Sequence, residues 1–455
     1  MKFLDRIEES RRLSQFLASA QGGLACVYGR RRIGKSRLLA EVVRGRTDVV
    51  FHIADKSEAV LQRMRLAGDL GKVLTGFDRV AYSDWGTLFD RWLRDAPRKS
   101  VLVIDEFPYL VAQSPELPSV LQRVLENIKP TGLKLVICGS SQRMMQGLVL
   151  KESEPLYGRA SEILKLEPLG FRWLKEAFPK LSPTGWLEHY GVWGGVPRYW
   201  ELSESETSLW GTLRRQVYSP LGLLRNEPNY LLLDDLNDAV QASSVLALIG
   251  MGAERLTEIA GRLQMSTTAL TRPLKRLTDL GLVRREVPFG DDAKNGKRSL
   301  YRVADPFLAF WYRFVLPNFS DEHYLEDADD LAALKRSYRV YLGGVWEDVV
   351  REAVGRLKLP GFSFRFRNAA RWWGTGLNRT PMELDVVAES PDRKTLLVGE
   401  VKLALTKGEA ERVMSDLQKK ASALPFAAKY DKVVCRLFVA DSAPADALDV
   451  SWAMA

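Results

Sequence analysis

Eight consecutive residues constrain this chain more than any others: Gly29-Arg30-Arg31-Arg32-Ile33-Gly34-Lys35-Ser36. They match the pattern Gly-x-x-x-x-Gly-Lys-Ser/Thr at every fixed position. The apolar run Leu24–Tyr28 precedes them, and a helical pattern opening with Arg37-Leu38-Leu39 follows. Strand, glycine turn and helix in that order let successive backbone N–H groups curl round phosphate oxygens, with favourable potential from the helix N-terminus. On this reading residues Gly29 to Arg37 hold a nucleoside triphosphate such as ATP. Lys35 reaches the outer phosphates and Ser36 ligates Mg²⁺.

The surrounding sequence fits that loop. Short apolar runs at 24–28, 49–53, 101–104 and 133–138 alternate with helical patterns such as 36–43 and 120–128. Continuous apolar runs of this length suit strands covered on both faces, so a largely parallel α/β layer is predicted. Val101-Leu102-Val103-Ile104 delivers Asp105 and Glu106 to the C-terminal end of a strand, where open α/β sheets bind ligands. Asp105 would hold Mg²⁺ and Glu106 would polarise the attacking water. Gly139-Ser140-Ser141 ends the next run, and a small polar residue there can sense the outermost phosphate. Phosphoryl transfer also needs positive charge, for which Arg159 is the first choice and Arg143 the second.

Four units are predicted: 1–167 as the loop-bearing α/β domain, 168–235 as a helical arm, 236–316 as a winged helix-turn-helix, and 331–455 as a second α/β domain. Gly194-Gly195-Val196-Pro197 interrupts the arm. The third unit reads as helices over 245–249, 256–263 and 267–280, a strand from 281, a polar tip over 289–297 and a returning strand over 298–303. Thr268, Thr271, Arg272 and Lys275 could face a major groove. Arg284, Arg285, Lys294, Lys297 and Arg298 could touch phosphates. The aromatic run 307–312 reads as core. Residues 318–330 are polar and acidic and read as a linker.

The last unit carries a second set of charged residues. A helix is predicted near 340–358 and strands at 362–367, 383–388, 395–401 and 433–440. A hairpin would bring Asp385 close to Glu400 and Lys402, whose side chains share a strand face because strand side chains alternate. Glu347 on the helix supplies a third carboxylate. Two carboxylates and a lysine can hold Mg²⁺, activate water and steady the charge of a phosphoryl transition state. Nearby Arg365, Arg367, Arg371, Trp372, Trp373 and Arg379 interleave bases with aromatics, a pattern able to grip nucleic acid.

The order FLDRIEE, GRRRIGKS, VLVIDEF, ICGSS, PLYGRA and GGVP resembles the archaeal-type ATPase family, within the signal-transduction (STAND) branch of AAA-related P-loop ATPases, over about residues 1–235. That resemblance implies a slow nucleotide switch, with Pro197 approaching the nucleotide. Asp5 stands where the family usually has glycine. The constellation Glu347, Asp385, Glu400-x-Lys402 resembles the PD-(D/E)xK, restriction-endonuclease-like superfamily, with Leu384-Asp385 where "PD" is usual.

Composition supplies the remaining bounds. Sixty-six Lys+Arg against 57 Asp+Glu give +9, and residues 331–455 carry 20 against 15 of that excess. That excess suits a polyanionic partner, and the nuclease-like resemblance of the last unit makes nucleic acid, DNA before RNA, the expected one. Three separated cysteines inside apolar runs and three histidines exclude a disulfide frame and a histidine-rich metal centre. The charged N-terminus does not read as a signal peptide, and no stretch is long and apolar enough to span a membrane, so a cytoplasmic protein is expected. The predicted function is an ATP-binding and hydrolysing protein that regulates a C-terminal Mg²⁺-dependent DNA endonuclease-like domain, with ATP-dependent homo-oligomers as a further expectation. The alternative is an ATP-switched DNA-binding or signalling scaffold without nuclease activity.

Overall fold

The computed structural model describes residues 2–204, 208–236, 238–292, 298–321, 323–441, 444 and 446–455. Lys294 and Lys297, predicted to touch phosphates, lie outside the described residues.

Five strands form the first sheet: β1 (Gly23–Tyr28), β2 (Val49–Ile53), β3 (Val101–Asp105), β4 (Lys134–Gly139) and β5 (Ala160–Lys165). They are all parallel, in the order β2-β3-β4-β1-β5. β1 and β3 are thus separated by β4, so the ends of the three strands stand side by side. Alternation along the strands sorts their side chains. Leu24, Cys26, Leu102, Ile104, Leu135 and Ile137 enter one apolar core, and Ala25, Val27, Val101, Val103, Val136 and Cys138 enter the other. Burial on both faces is what turned these segments into unbroken apolar runs. β5 was not foreseen, because its half-exposed sequence ASEILK is too polar to read as a covered strand.

Helices follow, among them Pro183–Trp193, Pro197–Glu204 and Glu227–Asp235. The Leu169 N–H donates to the Gly195 carbonyl at 2.7 Å. A Cβ on Gly195 would lie 1.9 Å from the Leu169 oxygen, so no larger residue fits there. Three helices (Ala239–Gly250, Leu256–Arg262, Thr267–Asp279) then precede an antiparallel pair, β6 (Val283–Glu286) and β7 (Leu300–Val303). The run Phe307–Tyr312 is core: Phe307, Phe310 and Tyr312 expose nothing to solvent.

A helix of 29 residues, Ala328–Arg356, leads into the second sheet. It begins 12 residues before the predicted start, inside the expected linker, where Asp329 and Asp330 favour a helix N-terminus. The sheet is β8 (Arg367–Thr375), β9 (Pro381–Glu389), β10 (Thr395–Ala404) and β11 (Lys432–Asp441), in the order β11-β10-β9-β8. β10 and β11 are parallel; the other neighbours are antiparallel. The first strand was expected at 362–367 and lies later. Phe362, Phe364 and Phe366 instead gather their rings within 5.4 Å of one another.

One apolar cluster runs from Leu169 through the middle helices and the long helix to Met454. The helical arm, the three-helix unit and one face of the second sheet therefore share a core. Phe289, just after β6, leaves its own unit and packs with Trp372, Leu384 and Leu396 on the other face of that sheet.

Candidate functional site

The loop is built where β1 ends. Gly34 has φ +93°, a left-handed conformation that glycine adopts without strain, and it opens the helix Lys35–Val42. Lys35 is buried, and its Nζ donates to the carbonyls of Gly29 at 3.0 Å and Arg30 at 3.1 Å. Ser36 Oγ donates to Asp105 Oδ2 at 2.5 Å, so the loop and the β3 acid meet. A hydroxyl beside a carboxylate is the oxygen donor set a Mg²⁺ ion accompanying a triphosphate would use, and the residues fit that group.

Glu106 has φ +52° and turns its carboxylate to β4, where the Ser140 hydroxyl donates to it at 2.8 Å and the Ser140 N–H at 3.3 Å. Ser141 Oγ bonds Asp235 at 3.0 Å, tying the end of β4 to the helical arm. Pro197 opens its helix against the loop, with its Cγ 3.9 Å from where a Cβ on Gly34 would stand. Arg37 pairs with Glu201 at 3.0 Å on that helix. Arg6 donates to the Ile33 carbonyl at 3.2 Å and the Glu167 carbonyl at 2.7 Å. Arg31 is exposed, whereas Arg30 and Arg32 point into the protein, Arg32 pairing with Glu227 at 2.8 Å.

Arg159 does not join this group within one chain. Ala160 pairs with Leu24 at the start of β1, and β5 runs parallel to β1, so Arg159 lies at the sheet edge opposite the loop. The length of β1 separates them, roughly 13 Å or more at about 3.3 Å per residue. There it bonds the Pro155 carbonyl at 3.0 Å and lies 3.7 Å from Glu126. Arg143, on the helix that follows β4, is exposed and stands on the same edge as the loop.

The second sheet gathers the other predicted residues. Val386 pairs with Gly399, which sets Asp385 beside Glu400. Asp385 Oδ2 accepts the Val401 N–H at 2.8 Å and lies 3.8 Å from Lys402 Nζ. Lys402 pairs with Glu400 at 2.7 Å, and Lys420, from the helix Lys407–Ser422, joins it at 3.2 Å. Glu347 faces this corner from the long helix, held by Arg351 at 3.3 Å and near Arg371 at 3.8 Å. Burial, then the charge of Asp385, push the Glu347 carboxyl up to about 7. Burial, then Glu400, raise Asp385. For Lys402 burial acts downward, but the bond to Glu400 and the neighbouring acids raise it overall.

Among the described residues, no group of three or more His, Cys, Asp or Glu side chains is placed to hold a metal ion. The expected ligand set of Glu347, Asp385 and Glu400 is therefore not assembled as one. The acids are instead paired with Lys402, Lys420, Arg351 and Arg371.

Several expected nucleic-acid contacts are also committed elsewhere. Arg284 pairs with Asp348 at 2.5 Å and Glu286 at 2.7 Å. Arg298 pairs with Asp291 at 2.7 Å and donates to the Trp373 carbonyl at 3.0 Å. Arg371 is largely buried, bonded to Glu383 and 3.5 Å from Glu286. Trp372 is core. Thr268, Thr271, Arg272 and Lys275 do lie exposed on one helix, as do Arg365, Arg367 and Arg379 around β8. Arg6, Tyr199, Glu227, Asp305, Arg351 and Lys420 were not foreseen. Arg351 holds Glu347 from four residues away on the same helix; each of the others meets a partner at least 20 residues along the chain.

A five-stranded parallel sheet with a glycine-lysine-serine loop after one strand and an acid pair after another defines a P-loop ATPase. Residues 3–201 match a family model described as an ATPase domain predominantly from Archaea, and residues 311–413 match one of archaeal and bacterial proteins of unknown function. An uncharacterized protein of Methanocaldococcus jannaschii is 32% identical over 422 residues, which are 92% of this chain and 92% of that protein. The chain belongs to that family, an ATPase domain joined to a C-terminal domain of unknown function. In fold it is similar to a Walker-type ATPase of Pyrococcus abyssi, at a TM-score of 0.53 and 18% identity, over 68% of this chain and 96% of that one. No helix among the described residues is long and apolar enough to cross a membrane.

Proposed function

We propose that this ATPase is a switch that governs a C-terminal site acting on nucleic acid, with DNA the first substrate to test. ATP occupies residues 29–36. Lys35 exchanges the Gly29 and Arg30 carbonyls for the outer phosphates, and Ser36 with Asp105 hold the accompanying Mg²⁺. When bound there, a hard cation neutralises charge that builds on the transferring phosphoryl oxygens. Glu106 leaves Ser140 to orient water, and Ser140 then reports the outer phosphate. Arg159, remote from its own loop, serves a neighbouring copy, so turnover is tied to an ATP-dependent homo-oligomer. The three helices and the β6–β7 pair act as a winged helix, whose exposed third helix offers Thr268, Thr271, Arg272 and Lys275 to a groove.

The C-terminal reading is carried by one observation: a hairpin and a helix bring Asp385, Glu400, Lys402 and Glu347 to one corner of the sheet. Lys402 would steady charge on a phosphodiester, and Glu347, raised to about 7, can take or give a proton near neutrality. The arrangement supports a PD-(D/E)xK-like nuclease. The test is cleavage of plasmid, linear and single-stranded DNA and of RNA, with and without ATP and divalent metal. Asp385→Ala and Lys402→Ala should each abolish cutting; cutting that survives both removes the nuclease assignment. A second reading, binding without cleavage, is favoured by the pairing of the carboxylates with Lys402, Lys420, Arg351 and Arg371. Retention of DNA without cleavage in Mg²⁺ and in Mn²⁺ would select it.

A further inference from the structure

The side chains of two loop arginines are held by acids from outside the parallel-sheet domain. Arg30 is only 7% exposed. Its guanidinium bonds Asp305, 275 residues further along, and donates to Tyr199 Oη at 2.9 Å. Asp305 stands just after β7, is itself buried, and caps the helix Pro306–Phe310 by accepting the Leu308 N–H at 2.8 Å. Tyr199 Oη in turn donates to Glu227 at 2.9 Å, and Glu227, wholly buried, is the partner of Arg32. Asp305, Arg30, Tyr199 and Glu227 form one buried polar chain, ending at the part-exposed Arg32, that joins the loop to the helical arm and to the segment leaving the β6–β7 pair.

The other side of Arg30 faces the phosphate-binding lysine, because its carbonyl accepts Lys35 Nζ. A buried guanidinium cannot leave its carboxylate without a large cost, since an unpaired charge would remain in a low-dielectric interior. The backbone at Arg30 is therefore fixed from behind by Asp305, at the point where the loop must present its N–H groups and release its lysine.

We propose that Asp305 is a positioning residue of the nucleotide site. Through Arg30 it sets the loop backbone, so ATP affinity depends on the docking of the segment that follows β7. By linkage, ATP favours that docked arrangement by the same factor. Asp305 lies beyond the residues matched by the ATPase family model, which end at 201, so the site borrows a part from another unit. The inference rests on residues 29–36 being the nucleotide site.

The test measures binding of a fluorescent ATP analogue and steady-state turnover with the full chain. Asp305→Asn should raise Kd and KM for ATP about tenfold while kcat stays within about twofold, the pattern of lost binding rather than lost chemistry. Because breaking one half of a buried pair also destabilises the fold, Arg30→Met with Asp305→Leu removes both charges. That double variant should melt near the parent temperature yet keep the weakened ATP binding. Recovery of binding along with stability would show that Asp305 merely neutralises a buried charge, and would overturn the proposal. Unchanged KM in Asp305→Asn would overturn it as well. Lys35→Ala separates the two claims: binding that survives it sinks the site itself, whereas binding lost there but intact in Asp305→Asn sinks the positioning role alone.

Discussion

Glu347 shows how one side chain can register its surroundings. Its carboxyl is pushed from an ordinary 4.5 up to about 7, first by burial and then by Asp385. Between those values the folded chain binds a proton that the unfolded chain has released. The stabilisation from that proton is present at low pH and is lost as pH rises through about 7. Glu347→Gln should therefore leave the stability nearly unchanged at pH 5 and raise it at pH 8 by on the order of 1–3 kcal/mol, with a matching rise in melting temperature. Thermal melts in a chelator check this, and equal shifts at both pH values would refute the buried-acid account. The residues that touch the loop from within a dozen positions, Gly34, Lys35 and Ser36, were legible in the sequence because their chemistry needs adjacency. Asp305 was not, because nothing in Val303-Ala304-Asp305-Pro306 announces a partner 275 residues away.

At the scale of elements, the β6–β7 pair is the most informative. A hairpin with basic residues reads as a phosphate-touching wing, yet Arg284 and Arg298 are turned to Asp348 and Asp291. Beyond β6 the Phe289 N–H donates to the Arg371 carbonyl at 2.8 Å, and its ring lies 5.7 Å from that of Phe426. Among the described residues, the hairpin is anchored to the second sheet at Phe289. Phe289→Ala should cost about 3 kcal/mol, the usual penalty for deleting a buried ring. It should also raise amide exchange in 283–289 and 298–303 selectively; uniform exchange changes would contradict a local anchor. The covered strands β1, β3 and β4 were legible because burial on both faces leaves an apolar run. β5 and β8 were not: β5 is half-exposed, and β8 was displaced by phenylalanines that prefer one another to a sheet.

Across the whole molecule, stability and ligand binding should be coupled through the loop. ATP at about a hundred times its Kd is expected to stabilise the chain by about 2.7 kcal/mol, and Lys35→Ala should erase that gain. Differential scanning at several ATP concentrations checks it; a shift that persists in the variant would place binding elsewhere. The shared core from Leu169 to Met454 further means that the arm, the three-helix unit and one face of the second sheet are packed as one body. The sequence alone determined the parallel layer, the loop, the acid pair and the short list of charged residues in the last unit, because each depends on neighbours within a few positions and on the period of its element. The tertiary structure alone decided that Arg159 lies across the sheet from the loop, that Lys420 joins the second acidic corner, and that Asp305 grips Arg30. Those are contacts between distant segments, set by how the elements pack and in which direction their strands run, and no local pattern encodes them.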